Sequence, residues 1–275
     1  MTTRWISTLA AATLALPLLA SAQGAAPARP GGAAAGKTEL TWYAHAAFTL
    51  RTPGGTVLAI DPWFGNPKSP DKEAAAKLEK VDYVLVTHGH SDHVGDAVAL
   101  AQRTGAKLIA TNDLGRAMVK AGFPEKQATF ETLGNVGGVI RAGDDATVTL
   151  VPAVHSSDFG DQSEHLGGGN PVGFVIRVKG GPTVYHTGDT DVTLDMKQIP
   201  ERYGKVDVML ACIGGHFTMD PAGAALAASY VQARTVVPMH FGTFPLLAGT
   251  PKELEAALKG KAKVQVLEPG KPTAF

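Results

Sequence analysis

The segment that most constrains this chain is a short histidine-rich sequence directly after a strand-like run. Residues 81–87 (VDYVLVT) are rich in β-branched and aromatic residues and predict a largely buried strand. Residues 88–96 then read HGHSDHVGD. Histidines two apart beyond a strand end can point the same way, and three imidazoles with a carboxylate suit a borderline metal such as zinc. The alternative is a solvated polar loop, but such a loop rarely contains three histidines.

Three later strand-like segments also lead to a residue that can bind a metal. Residues 147–151 lead to His155, residues 183–185 lead through His186 to Asp189, and residues 235–238 lead to His240. In open α/β sheets the ligand site lies beyond the carboxyl ends of the strands. A lone histidine at such a position is more often structural, so the prediction rests on the whole set.

The remaining pattern predicts one α/β domain. Further strands are expected over 40–49, 57–60, 107–110, 173–178, 206–211 and 263–267, and helices over 70–80, 113–121, 221–231 and 251–259. The strands at 147–151, 173–178 and 183–185 are assigned to a second sheet. Because there is no short-period repeat and no second linker, a single domain over 37–275 is the simplest interpretation.

Four motifs together resemble the metallo-β-lactamase superfamily. They are WYAHAAF at 42–48, HGHSDHVGD at 88–96, IGGHFTM at 213–219 and PMHFGTF at 238–244, and DPW at 61–63 and GDT at 188–190 accompany them. Within the superfamily the chain is similar to the uncharacterised metal-dependent hydrolases, a group that also resembles the ascorbate-phosphate lactonases. The similarity spans about 40–269 and implies a four-layer αββα sandwich, with two mixed sheets flanked by helices.

The resemblance also implies a binuclear metal site along one edge of the sandwich. One metal would be held by His88, His90 and His155. The other would be held by Asp92, His93 and His240, with Asp189 bridging the two. All seven positions carry residues able to bind a metal, and the implied cofactor is a pair of divalent ions, with zinc expected and manganese or iron possible.

Hydrolysis is the activity that such a site implies. Metals about 3.5–4 Å apart can share a hydroxide that attacks a carbonyl or phosphoryl centre, and Asp92 can both ligate and accept a proton. We therefore expect cleavage of a small ester, lactone or phosphate-containing molecule. Two alternatives stay open: a zinc β-lactamase-like hydrolase, and a metal-binding protein without turnover.

Several residues outside the ligand set are candidates for supporting roles. His216, after a Gly-Gly turn, is a candidate catalytic proton donor or substrate ligand, with a structural role as the alternative. His45 is placed near the metals or in the strand structure, and Asp61 is expected to orient a ligand imidazole. His186 and Cys212 are interpreted as structural residues.

The amino terminus predicts export. Arg4 precedes an apolar stretch over 6–20, and Ala20-Ser21-Ala22 matches the pattern that signal peptidase accepts. We expect a signal peptide over 1–22, an Ala/Gly/Pro linker over 23–36, and a periplasmic or secreted protein. The apolar stretch is shorter than the roughly 20 residues that span a bilayer, so no stable membrane anchor is expected.

Charge narrows the class of partner further. The 25 lysines and arginines equal the 25 aspartates and glutamates, so the basic surplus of a nucleic-acid-binding protein is missing. The single Cys212 leaves no cysteine-rich zinc module and no intrachain disulfide. The expected partner is a small-molecule substrate, and the oligomeric state is not predicted.

Overall fold

The computed structural model of the protein describes Met1 and residues 36–160 and 166–275. The predicted signal peptide after Met1 and the predicted linker up to residue 35 lie outside the described residues. Within the described ranges, no helix has the length and apolar character needed to cross a membrane.

Within residues 36–160 and 166–275, short runs of residues form sixteen strands and seven α-helices. The strands are β1 (Glu39–Trp42), β2 (Phe48–Arg51), β3 (Val57–Ile60), β4 (Tyr83–Leu85), β5 (Lys107–Thr111), β6 (Leu133–Gly134), β7 (Val139–Ala142), β8 (Ala146–Pro152), β9 (Asp158–Phe159), β10 (Leu166–Gly167), β11 (Val172–Val178), β12 (Thr183–His186), β13 (Val208–Cys212), β14 (Thr235–Met239), β15 (Lys263–Val264) and β16 (Pro272–Ala274). The helices are α1 (Ala74–Lys77), α2 (Ser91–Val94), α3 (Ala97–Thr104), α4 (Asn112–Lys120), α5 (Gln198–Tyr203), α6 (Pro221–Tyr230) and α7 (Pro251–Leu258). Two 3₁₀ turns, Glu125–Gln127 and Leu194–Lys197, complete the regular structure.

The strands form two seven-stranded mixed sheets. The first has the order β16-β1-β2-β3-β4-β5-β6, and the second has the order β15-β14-β13-β12-β11-β8-β7. In the first sheet β3, β4, β5 and β6 are parallel, and in the second β12, β13, β14 and β15 are parallel. The remaining neighbours pair antiparallel. The strands β9 and β10 form a separate two-stranded ribbon.

Two apolar layers hold the sandwich together. Leu40, Leu50 and Leu58 of the first sheet share one buried cluster with Val148 and Ile176 of the second. That cluster also takes in buried residues of α6 and α7, which cover the second sheet. A second cluster joins β4 and β5 to α3 and α4 on the outer face of the first sheet. The predicted αββα architecture is therefore confirmed.

The predicted strand over 40–49 was wrong as one element. It is divided into β1 and β2 by a loop at residues 43–47. Ala44 and His45 in that loop have φ values of 66° and 52°, which a continuous strand cannot contain. The interruption reverses the chain, so that β1 and β2 pair with each other as an antiparallel hairpin.

Three other elements are shorter than predicted, among them the strand expected over 81–87, of which only β4 forms, and several short elements were missed. Of the helix expected over 70–80 only α1 forms, and at its carboxyl end the Arg103 guanidinium donates to the carbonyl groups of Ala75 and Leu78. Of the strand expected over 263–267 only β15 forms. The helices α2, α3 and α5 and the short strands β6, β7, β9, β10 and β16 were not predicted.

Candidate metal centre

Strands from both sheets end at the same edge of the sandwich, and polar side chains follow them there. In the first sheet β1, β3 and β4 run in one direction, and in the second β8, β12 and β14 share a direction. The residues that follow these strand ends are His45, Asp61, His88, His155, Asp189 and His240. The predicted convergence at the carboxyl ends of the strands is thus present in the fold.

A first group of imidazoles contains His88, His90 and His155. One ring nitrogen of each lies within 4.8 Å of the others. His88 Nε2 is 3.0 Å from His90 Nδ1, and Ser156 Oγ lies 3.2 Å from the other nitrogen of His90. His88 is buried, whereas His90 and His155 are partly exposed, so this group opens to solvent on one side.

A second group contains Asp92, His93, His240 and His45. Asp92 Oδ2 lies 3.8 Å from Nε2 of His93 and 3.8 Å from Nε2 of His240. Asp92 has a quarter of its side chain exposed, while both imidazoles are almost fully buried. Asp92 therefore faces the open side of the site.

Asp189 lies between the two groups. Its Oδ2 atom is 2.9 Å from His240 Nε2 and 3.3 Å from His93 Nε2. The same oxygen is 3.7 Å from His155 Nε2, which belongs to the first group. One buried carboxylate oxygen thus contacts imidazoles of both groups, which is the position that a bridging ligand requires.

Asp61 fixes the orientation of two imidazoles. It accepts hydrogen bonds from the backbone N–H and the hydroxyl of Thr87 at 2.8 and 2.7 Å, and His93 Nδ1 lies 2.8 Å from its Oδ2. Because Asp61 is an acceptor, His93 carries its proton on Nδ1. The Thr87 hydroxyl, already donating to Asp61, accepts from His88 Nδ1 at 3.0 Å. With Nδ1 occupied in this way, each imidazole directs its Nε2 into the cluster, where a cation would bind in place of any proton.

His45 is held by contacts at both of its nitrogens. Nε2 is 3.0 Å from Asp92 Oδ2, and Nδ1 is 2.9 Å from the hydroxyl of Thr243. Burial lowers the pKa of His45 to about 4 despite the contact with Asp92, so the ring is neutral at pH 7. A neutral ring that donates to Asp92 must accept from Thr243. Sequence reasoning missed Thr243, although it lies within the PMHFGTF motif.

The buried atoms that face the cluster fit metal ions. Among the described residues, His93 Nε2, Asp189 Oδ1 and both ring nitrogens of His240 are buried without a partner in hydrogen-bond geometry, although the two Nε2 atoms lie 3.3 and 2.9 Å from Asp189 Oδ2. Unpaired buried polar atoms cost free energy, and four in one cluster are rare. Imidazole nitrogens and carboxylate oxygens are also the ligands that zinc, manganese and iron accept.

Backbone strain is concentrated at the same edge. In the part of the chain that the structure describes, seven non-glycine residues have positive φ, and five of them lie in the loops of this edge: Ala44, His45, Asp61, His216 and His240. A positive φ is unfavourable for residues that carry a Cβ, and such a backbone conformation persists only where the surrounding structure holds it. Three of these residues, His45, Asp61 and His240, belong to the cluster or contact it directly.

The small residues of the histidine motif allow close approach of neighbouring loops. A Cβ at Gly89 would lie 2.5 Å from the carbonyl oxygen of Asp158, and one at Gly95 would lie 2.5 Å from the Cα of Trp63. Both contacts are with backbone, which cannot move aside easily. The loops at residues 61–66 and 156–159 are therefore packed directly against the histidine motif.

Without metal, the charges of the buried carboxylate and imidazoles keep His240 protonated and Asp189 ionised. Burial opposes the charged form of His240, but Asp189 raises its pKa to about 9. Burial likewise opposes the charge on Asp189, yet His240 and His93 hold its pKa well below the usual range. The metal-free cluster thus contains an ion pair between His240 and Asp189, and a metal cation must displace the proton of that imidazole in order to bind.

Zinc binding is expected to release at least one proton per protein at pH 7. Because the pKa of His240 is about 9 without metal, its imidazole is protonated at pH 7 and must lose that proton to bind a cation. Apparent affinity should rise about tenfold per pH unit for each proton released, and this rise should end above pH 9. Titration calorimetry in buffers of different ionisation enthalpy measures the release. Binding without proton release would contradict the assignment of His240 as a ligand.

His216 and His186 lie apart from the cluster. His216 is exposed, and within the described residues its side chain makes no hydrogen bond or ion pair and contacts the ring of Phe217. The structure therefore does not bring His216 into the group with Asp92. His186 is fully buried, contacts the carbonyl of Ala46 at 3.1 Å and accepts from the N–H of Gly188 at 3.1 Å. Its predicted structural role is consistent with these bonds.

Cys212 is expected to resist alkylation in the native protein. It is fully buried at the end of β13, and burial raises its pKa to about 11, so the thiol stays protonated at pH 8. Mass spectrometry after iodoacetamide treatment should show no adduct on the folded protein and a full adduct after denaturation. Fast labelling of the folded protein would contradict the interpretation of Cys212 as a core residue.

Known proteins share this arrangement of sequence and fold. A family model described as the beta-lactamase superfamily domain matches residues 56–241. A UPF0173 metal-dependent hydrolase of Anaeromyxobacter sp. (strain K) is 71% identical over 245 residues, which are 88% of this chain and 89% of the relative. One from Thermodesulfovibrio yellowstonii is 51% identical over 84% of this chain and 88% of its own. The solved structure of Igni18, a metallo hydrolase from Ignicoccus hospitalis, is 36% identical, covers 87% of this chain and 99% of its own, and has a TM-score of 0.75.

Proposed function

Because the chain belongs to the β-lactamase superfamily and is a metal-dependent hydrolase like its UPF0173 relatives, we propose that it is a binuclear enzyme. Its two divalent cations, proposed to be zinc, would be held by His88, His90 and His155 and by Asp92, His93 and His240, with Asp189 between them. The observation that carries this proposal is the position of Asp189 Oδ2, within 3.7 Å of imidazole nitrogens from both groups. The reaction is hydrolysis of a small ester, lactone or phosphate-containing molecule.

Each part of the site has a separate task in this reaction. The two cations would lower the pKa of a shared water and stabilise negative charge on the reacting oxygen. Asp92, on the open side, accepts a proton from the attacking water. Asp61 and Thr87 hold the imidazoles of His93 and His88 in the required orientation. His45 restrains Asp92 through their 3.0 Å contact, so that its carboxylate does not swing away.

The test combines metal analysis with a hydrolysis screen. Purified protein is loaded with zinc or manganese, and bound metal is counted by mass spectrometry. Turnover is then measured with bis(p-nitrophenyl) phosphate, simple lactones and a chromogenic β-lactam. Two equivalents of metal, with turnover that a chelator abolishes, support the proposal. Two metals without turnover favour the metal-binding alternative, preferential cleavage of the β-lactam favours the lactamase-like one, and absence of bound metal contradicts all three.

His216→Ala is expected to leave metal content unchanged. The described contacts give His216 no link to the cluster, and it is exposed beside Phe217 in the loop that follows β13. Loss of one substrate contact there should raise KM about twofold to tenfold with little change in kcat. Metal analysis and steady-state kinetics of the variant check both points. Loss of zinc would instead place His216 among the metal ligands.

Export is proposed on the sequence of residues 1–22 alone. Cleavage after Ala22 would leave a mature chain that begins at Gln23 and acts in the periplasm or outside the cell. Amino-terminal sequencing of protein from fractionated cells tests it. A chain in the cytoplasmic fraction that still carries residues 1–22 would contradict export.

A further inference from the structure

An aromatic wall, formed by Trp63 and Phe244, lies beside the second metal group. The two rings stack with their centroids 6.1 Å apart and their planes at 24°. Each also meets the imidazole of His45 edge-on, at 5.2 Å for Trp63 and 6.0 Å for Phe244. His45 in turn contacts Asp92, the residue on the open side of the site. The wall therefore borders the mouth of the cluster.

The wall is held in place by the residues that organise the metal centre. Phe244 directly follows Thr243, whose hydroxyl contacts His45 at 2.9 Å. Trp63 is two residues after Asp61, and its backbone is packed against Gly95 of the histidine motif. Yet Phe244 keeps 40% of its surface exposed, and Trp63 is partly exposed. Rigidly held aromatic surface that stays open to solvent is typical of a binding site.

The loops of this edge also carry exposed aliphatic and aromatic side chains. Of the eleven exposed large apolar residues among the described ones, five follow the ends of β8, β12, β13 and β14: Val154, Leu194, Phe217, Phe244 and Leu246. These are the strands whose ends surround the cluster. Apolar surface is thus enriched where a substrate would enter.

The loop residues nearest the metal ligands carry no cation. No lysine or arginine occurs in residues 43–47, 61–67, 88–96, 153–160, 187–196, 213–220 or 240–250; Lys68, Lys72 and Lys197 lie just beyond these ranges, and the Lys72 ammonium is bound to the carbonyl of Asn66. Enzymes that bind phosphate or carboxylate groups usually supply arginine or lysine donors at that point. Here Asp158 and Asp191 add negative charge instead. The edge therefore disfavours anions outside the immediate reach of the metals.

We infer that the substrate is a neutral molecule with a flat apolar group that stacks on the Trp63–Phe244 wall, next to a carbonyl centre that is hydrolysed. This inference rests on the proposed binuclear hydrolase and narrows its substrate class to neutral esters, lactones or related carbonyl compounds. Phosphorylated substrates are disfavoured. Water adds to the carbonyl carbon, the bond to the leaving oxygen breaks, and that oxygen leaves with a proton.

The test compares two neutral chelating probes that differ only in their apolar part. Benzohydroxamic acid carries a phenyl ring and acetohydroxamic acid a methyl group on the same metal-binding unit. By titration calorimetry with zinc-loaded protein, we expect the phenyl compound to bind about tenfold more tightly. In Trp63→Ala and Phe244→Ala the preference should fall to about twofold, while acetohydroxamic acid binds as before. Phe244→Leu, which keeps an apolar side chain but no ring, should give an intermediate preference.

Phe130→Ala is the matched control. Phe130 is 83% exposed and lies after α4, outside the loops of the site, so its removal should preserve the tenfold preference. Thermal unfolding of each variant shows whether it is folded. Equal binding of the two probes to the wild type, or a preference that survives both Trp63→Ala and Phe244→Ala, would show that the aromatic wall does not bind the apolar group of the substrate.

A second comparison tests the charge of the substrate. Phenyl acetate and phenyl phosphate share an aryl group but differ in charge. Because the ester is intrinsically the more reactive, the comparison is made on KM, which we expect to be lower for the acetate. A lower KM for phenyl phosphate would overturn the preference for a neutral substrate while leaving the hydrolase intact. If neither hydroxamic acid binds, the metal centre itself is wrong, and the inference fails with it.

Discussion

Asp189→Asn is expected to lower kcat/KM about a thousandfold and to reduce bound zinc from two ions to one or fewer. Asparagine keeps the shape of the side chain but has no charge and only one oxygen acceptor. In the wild type the carboxylate lies within 3.7 Å of three imidazole nitrogens and is almost fully buried. Its loss removes the anion that holds two like-charged cations together, and removal of one charge-stabilising group in an active site typically costs 10²–10³-fold in rate.

Asp195→Asn is the control for Asp189→Asn because it makes the same change of charge nearby. Asp195 is exposed, and its carboxylate contacts the side chain of Gln198 at 3.4 Å. We expect wild-type zinc content and wild-type kinetics from this variant. Metal analysis and kinetics of both variants should be made on the same zinc-loaded preparations. An Asp189→Asn protein that keeps two zinc ions and full activity would show that Asp189 is not the bridge.

The histidine motif was informative because its chemistry is local in sequence. His88, His90, Asp92 and His93 follow one buried strand, and a tight turn into α2 brings them together without long-range pairing. His155, Asp189 and His240 could be added because each follows a strand end, and parallel strands bring such ends to one edge. Their assignment to two groups came from the resemblance. Each predicted group contains atoms that the fold places within 4.8 Å of one another.

The contacts between distant segments could not be predicted in the same way. His45 reaches Thr243 across 198 residues of sequence, and the link depends on the left-handed backbone at His45 and on the turn after β14. Neither feature has a sequence signal comparable to glycine in a turn. The role of Asp61 was foreseen as orientation of an imidazole. The position of Thr87 between Asp61 and His88 could not be predicted, because it depends on the register of β3 and β4.

The fold was predictable in its layers but less so at element ends. Buried strands such as β8 and β11 carry strong apolar patterns, and both were placed within two residues of their bounds. At the carboxyl end of α1 a tertiary contact replaces the helix hydrogen bonds, because Arg103 donates to the carbonyl groups of Ala75 and Leu78. The split of the first predicted strand has a functional consequence, because the interrupting loop carries His45 to the edge of the site.

Asp61→Asn is expected to weaken zinc binding at the second group about 10- to 100-fold and to lower kcat/KM at limiting zinc by a similar factor. Asp61 is completely buried, and its Oδ2 lies 2.8 Å from His93 Nδ1. In the variant, an amide that accepts from the Thr87 N–H through its oxygen turns its NH₂ group towards His93. The imidazole would then keep its proton on Nε2, the atom that must bind the metal.

Asp82→Asn provides a control for Asp61→Asn, because Asp82 accepts a backbone hydrogen bond from Val57 at 2.8 Å outside the cluster. A zinc titration against a competing chelator should show a weakened zinc affinity in Asp61→Asn and an unchanged zinc affinity in Asp82→Asn. Excess zinc should restore part of the lost activity, because a positioning residue shifts the binding equilibrium without supplying a ligand itself. Thr87→Val, which removes the hydroxyl that His88 Nδ1 contacts, should have a smaller effect because the carboxylate of Asp61 remains. Unchanged zinc affinity in Asp61→Asn would mean that packing alone sets the position of His93. It would contradict the role of Asp61 in fixing the tautomer of that imidazole.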